Sequence, residues 1–259
     1  MHRSTLVGWA VAGLAICAGL WLDGGNPAQI LQPTAALIVL GGTLGAVLVH
    51  FPGPLVREAL GGVRQAFSSI SPPPDAVARQ LLSYAAKARR GGLLALDAEL
   101  GQIEDPFRRK CLMLAIDGIS PQSIRGTMEL ELERLEERSE EPARVWEAAA
   151  GYSPTMGILG AVLGLIQVMQ HLGNIESVGK GIAVAFVATL YGVGAANLVF
   201  LPIAGHLRAR ARTRRQEREM TIDAVCLMAE GANPRMLRER LDAHMGHSVA
   251  EPIAKLVAR

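Results

Sequence analysis

The chain has 259 residues, half of them hydrophobic, and a formal net charge of +2. That balance gives no support for a nucleic-acid-binding role, and three cysteines (Cys17, Cys111 and Cys226) without CxxC spacing give none for a disulfide framework or a thiolate metal site. A mean hydropathy of +0.25 excludes little by itself, so the distribution of the apolar residues has to decide the class.

They collect in four runs, 5–22, 34–51, 151–172 and 181–205. At about 1.5 Å rise per residue, a run of eighteen reaches roughly 27 Å, close to the thickness of a bilayer core. Four transmembrane helices are predicted in an all-α membrane protein. The division is 1–51 (helices 1 and 2), 52–150 (a helical cytoplasmic domain), 151–205 (helices 3 and 4) and 206–259 (a basic tail). The first run, after Met1-His2-Arg3, has the look of a secretory signal, but small residues at cleavage spacing before Asp23 are lacking and Ile16 precedes Cys17. A retained helix is expected.

Of the basic residues, 13 fall in 52–150 and 11 from 206 onward, while the short loops 23–33 and 173–180 hold only Lys180. The positive-inside rule then places both termini and the long segment in the cytoplasm. Arg208, Arg210, Arg212, Arg214 and Arg215 directly follow the fourth run, where anionic lipid is the expected partner.

In 52–150, Pro72-Pro73-Pro74 precedes a helix that Asp75 can cap, with Val77, Leu81, Leu82 and Ala85 on one face. Another helix is expected near Leu93, and Pro106 and Pro121 mark further starts. The acidic stretch 122–141 reads as a solvated helix face. No phosphate-binding glycine loop, metal cluster or Ser/His/Asp order is present, so no catalytic residue, metal or cofactor is expected and the chain does not read as an enzyme. No histidine pairs with a carboxylate at ligand spacing.

The third and fourth runs contain no Asp, Glu, Lys or Arg. They carry small residues at four-residue spacing (Gly157 and Ala161, Gly160 and Gly164, then Ala188, Gly192 and Ala196), which predicts close helix packing and an oligomeric bundle. Pro154, near the predicted start of the third helix, and Pro202, inside the fourth, each remove a backbone donor and are candidate hinges. Thr189 is the hydroxyl in the middle of the fourth run and either bonds its own helix or faces a hydrated cavity. Proton relays in membranes use ionisable groups, so a conducting role requires a carboxylate from another chain.

The stretches PTMGILGAVLGLI (154–166), GKGIAVAFVATLYGVGAANLVFLPIA (179–204) and GGNPAQILQPTAALIVLGGTLGA (24–46) resemble the MotA family of flagellar stator subunits, within the broader group that includes the ExbB and TolQ energisers. The resemblance implies an inner-membrane homopentamer around a MotB-type partner, whose membrane aspartate carries the proton and whose outer domain binds peptidoglycan. It implies that Pro154, Pro202 and Thr189 belong to the ion pathway, and that Ala161 and Ala188, where sodium-driven relatives carry a hydroxyl, select protons. KARRGGLLALDAEL (87–100) resembles the rotor-facing stretch, which makes Arg89 (or its neighbour Arg90), Asp97 and Glu131 the residues that meet the rotor protein FliG. Competing expectations are an ExbB/TolQ-like energiser of outer-membrane transport and a membrane scaffold without conduction.

Overall fold

The computed structural model describes residues 3–22, 24–25, 30–67 and 73–245; Met1 and His2, Asp23, motif residues 26–29, Pro72 and the tail after Met245, with His247, lie outside them. Among the described residues every regular element is helical. The chain divides into two compact units, one made of 1–69 and 140–209, the other of 70–139 and 210–259.

The first unit begins with α1 (Arg3–Leu22), whose Val7, Val11 and Leu14 are exposed. Helix α2 (Pro33–His50) starts with Pro33 at its first turn, where a missing N–H costs nothing. It includes a π turn at Leu37–Gly41. Helix α3 (Gly53–Ala66) follows, with Val56 and Ala59 packed beside Val47, Val145 and Ala149. The 140–170 part of α7 (Pro121–Gln170) and the 175–209 part of α8 (Ile175–Ala229) complete this unit. Asn174 caps α8 by accepting hydrogen bonds from the Glu176 and Ser177 amides at 3.1 and 3.3 Å, which explains its start after the 171–174 turn.

Helices α2, α7 and α8 are each long and apolar enough to cross a bilayer, and α1 adds a shorter apolar stretch, Val7–Leu22. The third and fourth predicted helices differ from expectation in length. Pro154 does not lie near the start of a helix: α7 runs uninterrupted through Pro142 and Pro154 for 50 residues. The fourth predicted helix continues past Pro202 to Ala229, with a π turn at Ala196–Phe200 just ahead of the proline. Flanking packing outweighs the local cost of each proline, about 3 kcal/mol for one in a helix interior.

The second unit gathers α4 (Pro74–Gly91), a 3₁₀ turn at Leu93–Leu96, α5 (Asp97–Leu100), α6 (Pro106–Ile116), the beginning of α7, the end of α8 and α9 (Pro234–Met245). Its core joins Val77, Leu81 and Tyr84 of α4 to Cys111 and Leu112 of α6 and Ile124 and Met128 of α7. Met220 and Val225 of α8 and Leu237 and Leu241 of α9 close it. Asp75 is not the cap of α4; Pro73 holds that position without a side-chain hydrogen bond. Asp105 does cap α6, accepting from the Phe107 and Arg108 amides at 3.3 and 3.4 Å. Met220 to Met245 contribute to the same core as Val77 to Leu132.

Candidate functional site

In the first unit α7 and α8 approach so closely that glycine is the only residue fitting at several contacts. A Cβ on Gly157 would lie 3.0 Å from the Ala188 carbonyl oxygen and 3.3 Å from the Thr189 Cα. One on Gly164 would lie 2.8 Å from the Gly181 carbonyl oxygen, and one on Gly192 would lie 2.6 Å from the Ser153 carbonyl oxygen. The small-residue stripes predicted to build an oligomer are thus used in packing α7 on α8 within one chain. Gly45 of α2 has no such neighbour.

This interface arranges three of the predicted ion-path residues. Pro154 packs opposite Gly192, whose added Cβ would sit 3.2 Å from the Pro154 Cα, and Thr189 lies across from Gly157. Ala161, one turn beyond Gly157, is half-buried. Thr189 is exposed on the outer face of this single chain and donates to its own helix at Ala185 O, 3.3 Å. Ala188 is fully buried with Ala35, Val39 and Val187. Pro202 is remote from the other three, since thirteen residues beyond Thr189 is about 20 Å along a helix.

Two further hydroxyls complete this region. Ser153 is fully buried and donates to Gly192 O at 2.9 Å. Tyr191 donates from its hydroxyl to Ile30 O at 2.6 Å and accepts from the Gln32 amide at 3.3 Å, fixing the entry to α2. The signal for both was their type: a hydroxyl in a charge-free apolar run has to find a partner inside the protein.

In the second unit, the exposed Arg89 ends α4 and the exposed Asp97 opens α5, on either side of Gly92, whose φ of 77° makes the turn. The Lys87–Glu99 ion pair ties the two sides together, and Arg89 Nη1 reaches Asn233 Oδ1 at 3.5 Å. Glu131 is apart from this corner, paired with Lys110 of α6. The acidic stretch is not simply solvated: Glu129 pairs with Arg125, and Glu136 with Arg215. Two of the arginines expected to meet lipid are engaged with α7 carboxylates, Arg208 with Glu147 and Arg215 with Glu136.

Asp223 of α8 is 6% exposed and joins three helices. It bonds Arg125 Nη2 of α7 at 2.8 Å, and Arg240 Nε and His244 Nε2 of α9 each at 3.0 Å. A histidine–carboxylate pair does exist, then, across a sequence gap that local spacing does not reveal. Burial pushes the Asp223 carboxyl up, but hydrogen bonds from His244, Arg125 and Arg240 outweigh it and leave it below its ordinary value. Among the described residues no cluster of His, Cys, Asp and Glu is arranged to hold a metal.

The MotA/TolQ/ExbB proton channel family matches residues 99–220, and the motility protein A N-terminal family matches 6–89. Motility protein A of Bacillus subtilis is 33% identical over 242 residues, spanning 93% of this chain and 90% of that protein. The chain belongs to the MotA family. The backbone agrees: MotAB of C. jejuni superposes with a TM-score of 0.89 at 33% identity, covering 97% of this chain and 98% of the other. The flagellar MotAB stator complex of Bacillus subtilis gives 0.83 at 31% identity, covering 98% and 97%. Within the MotA family the α7–α8 contact lies in the proton-channel match and Arg89 ends the N-terminal match.

Proposed function

We propose that this chain is the A subunit of a flagellar motor stator, coupling proton flow through a complex with a MotB-type partner to torque on the rotor. The observation that carries this is the likeness to MotAB chains over nearly the whole length, at both sequence and backbone level. The charge-free stretches 151–170 of α7 and 181–205 of α8, packed on a glycine seam, form a wall for an ion path, and the titrating carboxylate comes from the partner. Thr189, Ala161, Pro154 and Pro202 belong to that path, and the apolar Ala161 and Ala188 support proton over sodium coupling.

The same reading gives four membrane helices, α1 included, in the bacterial inner membrane with both termini cytoplasmic. It also gives a homopentamer around the partner. The exposed Arg89 and Asp97 meet FliG, and Glu131 contributes through its pair with Lys110. Exposed charges of this kind contribute about 0–1 kcal/mol each, which suits repeated engagement rather than tight binding.

The test is complementation of a strain lacking its own A subunit, with the B-type partner supplied. Swimming should return, collapse with an uncoupler and persist without sodium. Restored outer-membrane uptake without swimming would favour the energiser reading, and sodium dependence would overturn the role of Ala161. Thr189→Val should lower proton flux; unchanged flux would remove Thr189 from the path.

A further inference from the structure

Helix α1 has no assigned part in the ion path, and most of its side chains face outward. Two on one face do not. Trp9 Nε1 donates to Leu198 O at 2.6 Å, and Thr5 Oγ1 lies 3.1 Å from His206 Nε2. Leu198 is four residues before Pro202 and His206 four after it, so α1 grips α8 on both sides of that proline.

Leu198 is the carbonyl that Pro202 affects most. In α-helical spacing its partner is the N–H of residue 202, and proline has none. The Leu201 amide does not compensate, because it reaches back to Ala196 O in the π turn. In an apolar membrane helix no bulk water replaces the missing donor. An indole N–H is a donor only, so it suits a lone carbonyl. The Trp9 ring is held in place by Phe67, edge-on at 5.6 Å, and Phe67 packs edge-on against His206 at 5.2 Å.

We propose that Trp9 is a positioning residue: its indole N–H holds the Leu198 carbonyl that Pro202 leaves without its α-helical donor, fixing the π turn in α8 and tying α1 to the conducting wall. Its consequence for torque rests on the stator reading; the hydrogen bond itself does not. When the Pro202 segment moves, this bond must stretch or release, so Trp9 sets how readily the segment moves.

The experiment compares Trp9→Phe in two backgrounds, native and Pro202→Ala, using the chain with its B-type partner in lipid nanodiscs. Phe keeps the ring contact with Phe67 but lacks the donor; the Pro202→Ala change restores a backbone donor for Leu198. In the native background Trp9→Phe should speed amide hydrogen exchange across 196–206 by about tenfold, the scale of one lost hydrogen bond. Exchange in 210–245 should stay unchanged. In the Pro202→Ala background, Trp9→Phe should change exchange less than about twofold, since the backbone then supplies the donor. Equal acceleration in both backgrounds, or none in either, overturns the proposal. If Trp9→Phe prevents accumulation of the protein, Pro202→Ala should restore it, and failure in both backgrounds also counts against the bond. Should the native chain fail to support swimming, the stator reading falls while the exchange comparison still decides the role of Trp9.

Discussion

Gly157 and Gly192 face each other across α7 and α8 so closely that a Cβ built on Gly192 would stand 3.0 Å from the Gly157 Cα. Neither backbone can retreat without moving its helix, because Ser153 on α7 also donates to Gly192 O at 2.9 Å. Gly192→Ala is therefore expected to destabilise by about 1–3 kcal/mol through overpacking. Gly126→Ala, at an exposed site on α7 with nothing within 4 Å, should instead stabilise by about 0.5–1 kcal/mol. Thermal unfolding of the purified complex of each variant separates the two; equal shifts would contradict the close seam.

Asp223→Asn should destabilise the second unit by about 2–4 kcal/mol, since it leaves Arg125, Arg240 and His244 around a buried neutral group. The folded carboxyl lies below its ordinary value, so its stabilisation is present in full above about pH 4 and is lost as pH falls through the lowered value. Thermal scans of native and Asp223→Asn protein should differ at neutral pH and converge in acid. A difference that widened toward acid would refute the assignment.

The cysteines should separate by reactivity. Cys111 is fully buried and burial pushes its thiol up to about 12, and Cys226 is buried beside α7. Both should resist iodoacetamide at pH 8 in native protein and react after denaturation, because the thiolate is the nucleophile. Rapid native alkylation of Cys111, read by mass spectrometry, would show that the core of the second unit opens easily.

Charge reversal at the α4–α5 corner tests the rotor-facing assignment. Arg89→Glu and Asp97→Lys should each impair swimming with little effect on protein level, since both residues are exposed. Glu131→Lys should also lower stability somewhat, because it places like charge against Lys110. Swimming unaffected by either Arg89→Glu or Asp97→Lys would remove that residue from the contact with the rotor.

The apolar runs of α2, α7 and α8 were legible because a bilayer-length stretch without charge has few other uses, and Pro106 and Pro121 marked helix starts as position N1 allows. The continuity of α7 through Pro142 and Pro154 was hidden, because local propensity disfavours it and only packing from other segments overrides the cost. The stripe Gly157–Gly160–Gly164 was visible as a packing surface, but periodicity cannot say whether the opposing helix belongs to the same chain. Asp223 with His244, and Trp9 with Leu198, depend on chain crossings that no local pattern encodes. Residue type drew attention to Pro154 and Thr189, the family resemblance set them in the proposed ion path, and the fold adds the hydrogen bonds of Ser153 to Gly192 O and Tyr191 to Ile30 O nearby.

As proposed, the chain forms the wall of a proton path whose titrating group belongs to a partner. The most direct measurement is proton influx in cells expressing the chain alone, with its B-type partner, or with a partner whose membrane aspartate is replaced by asparagine. Influx should appear only with the intact partner. Influx from the chain alone, or influx that survives loss of the partner's aspartate, would contradict it.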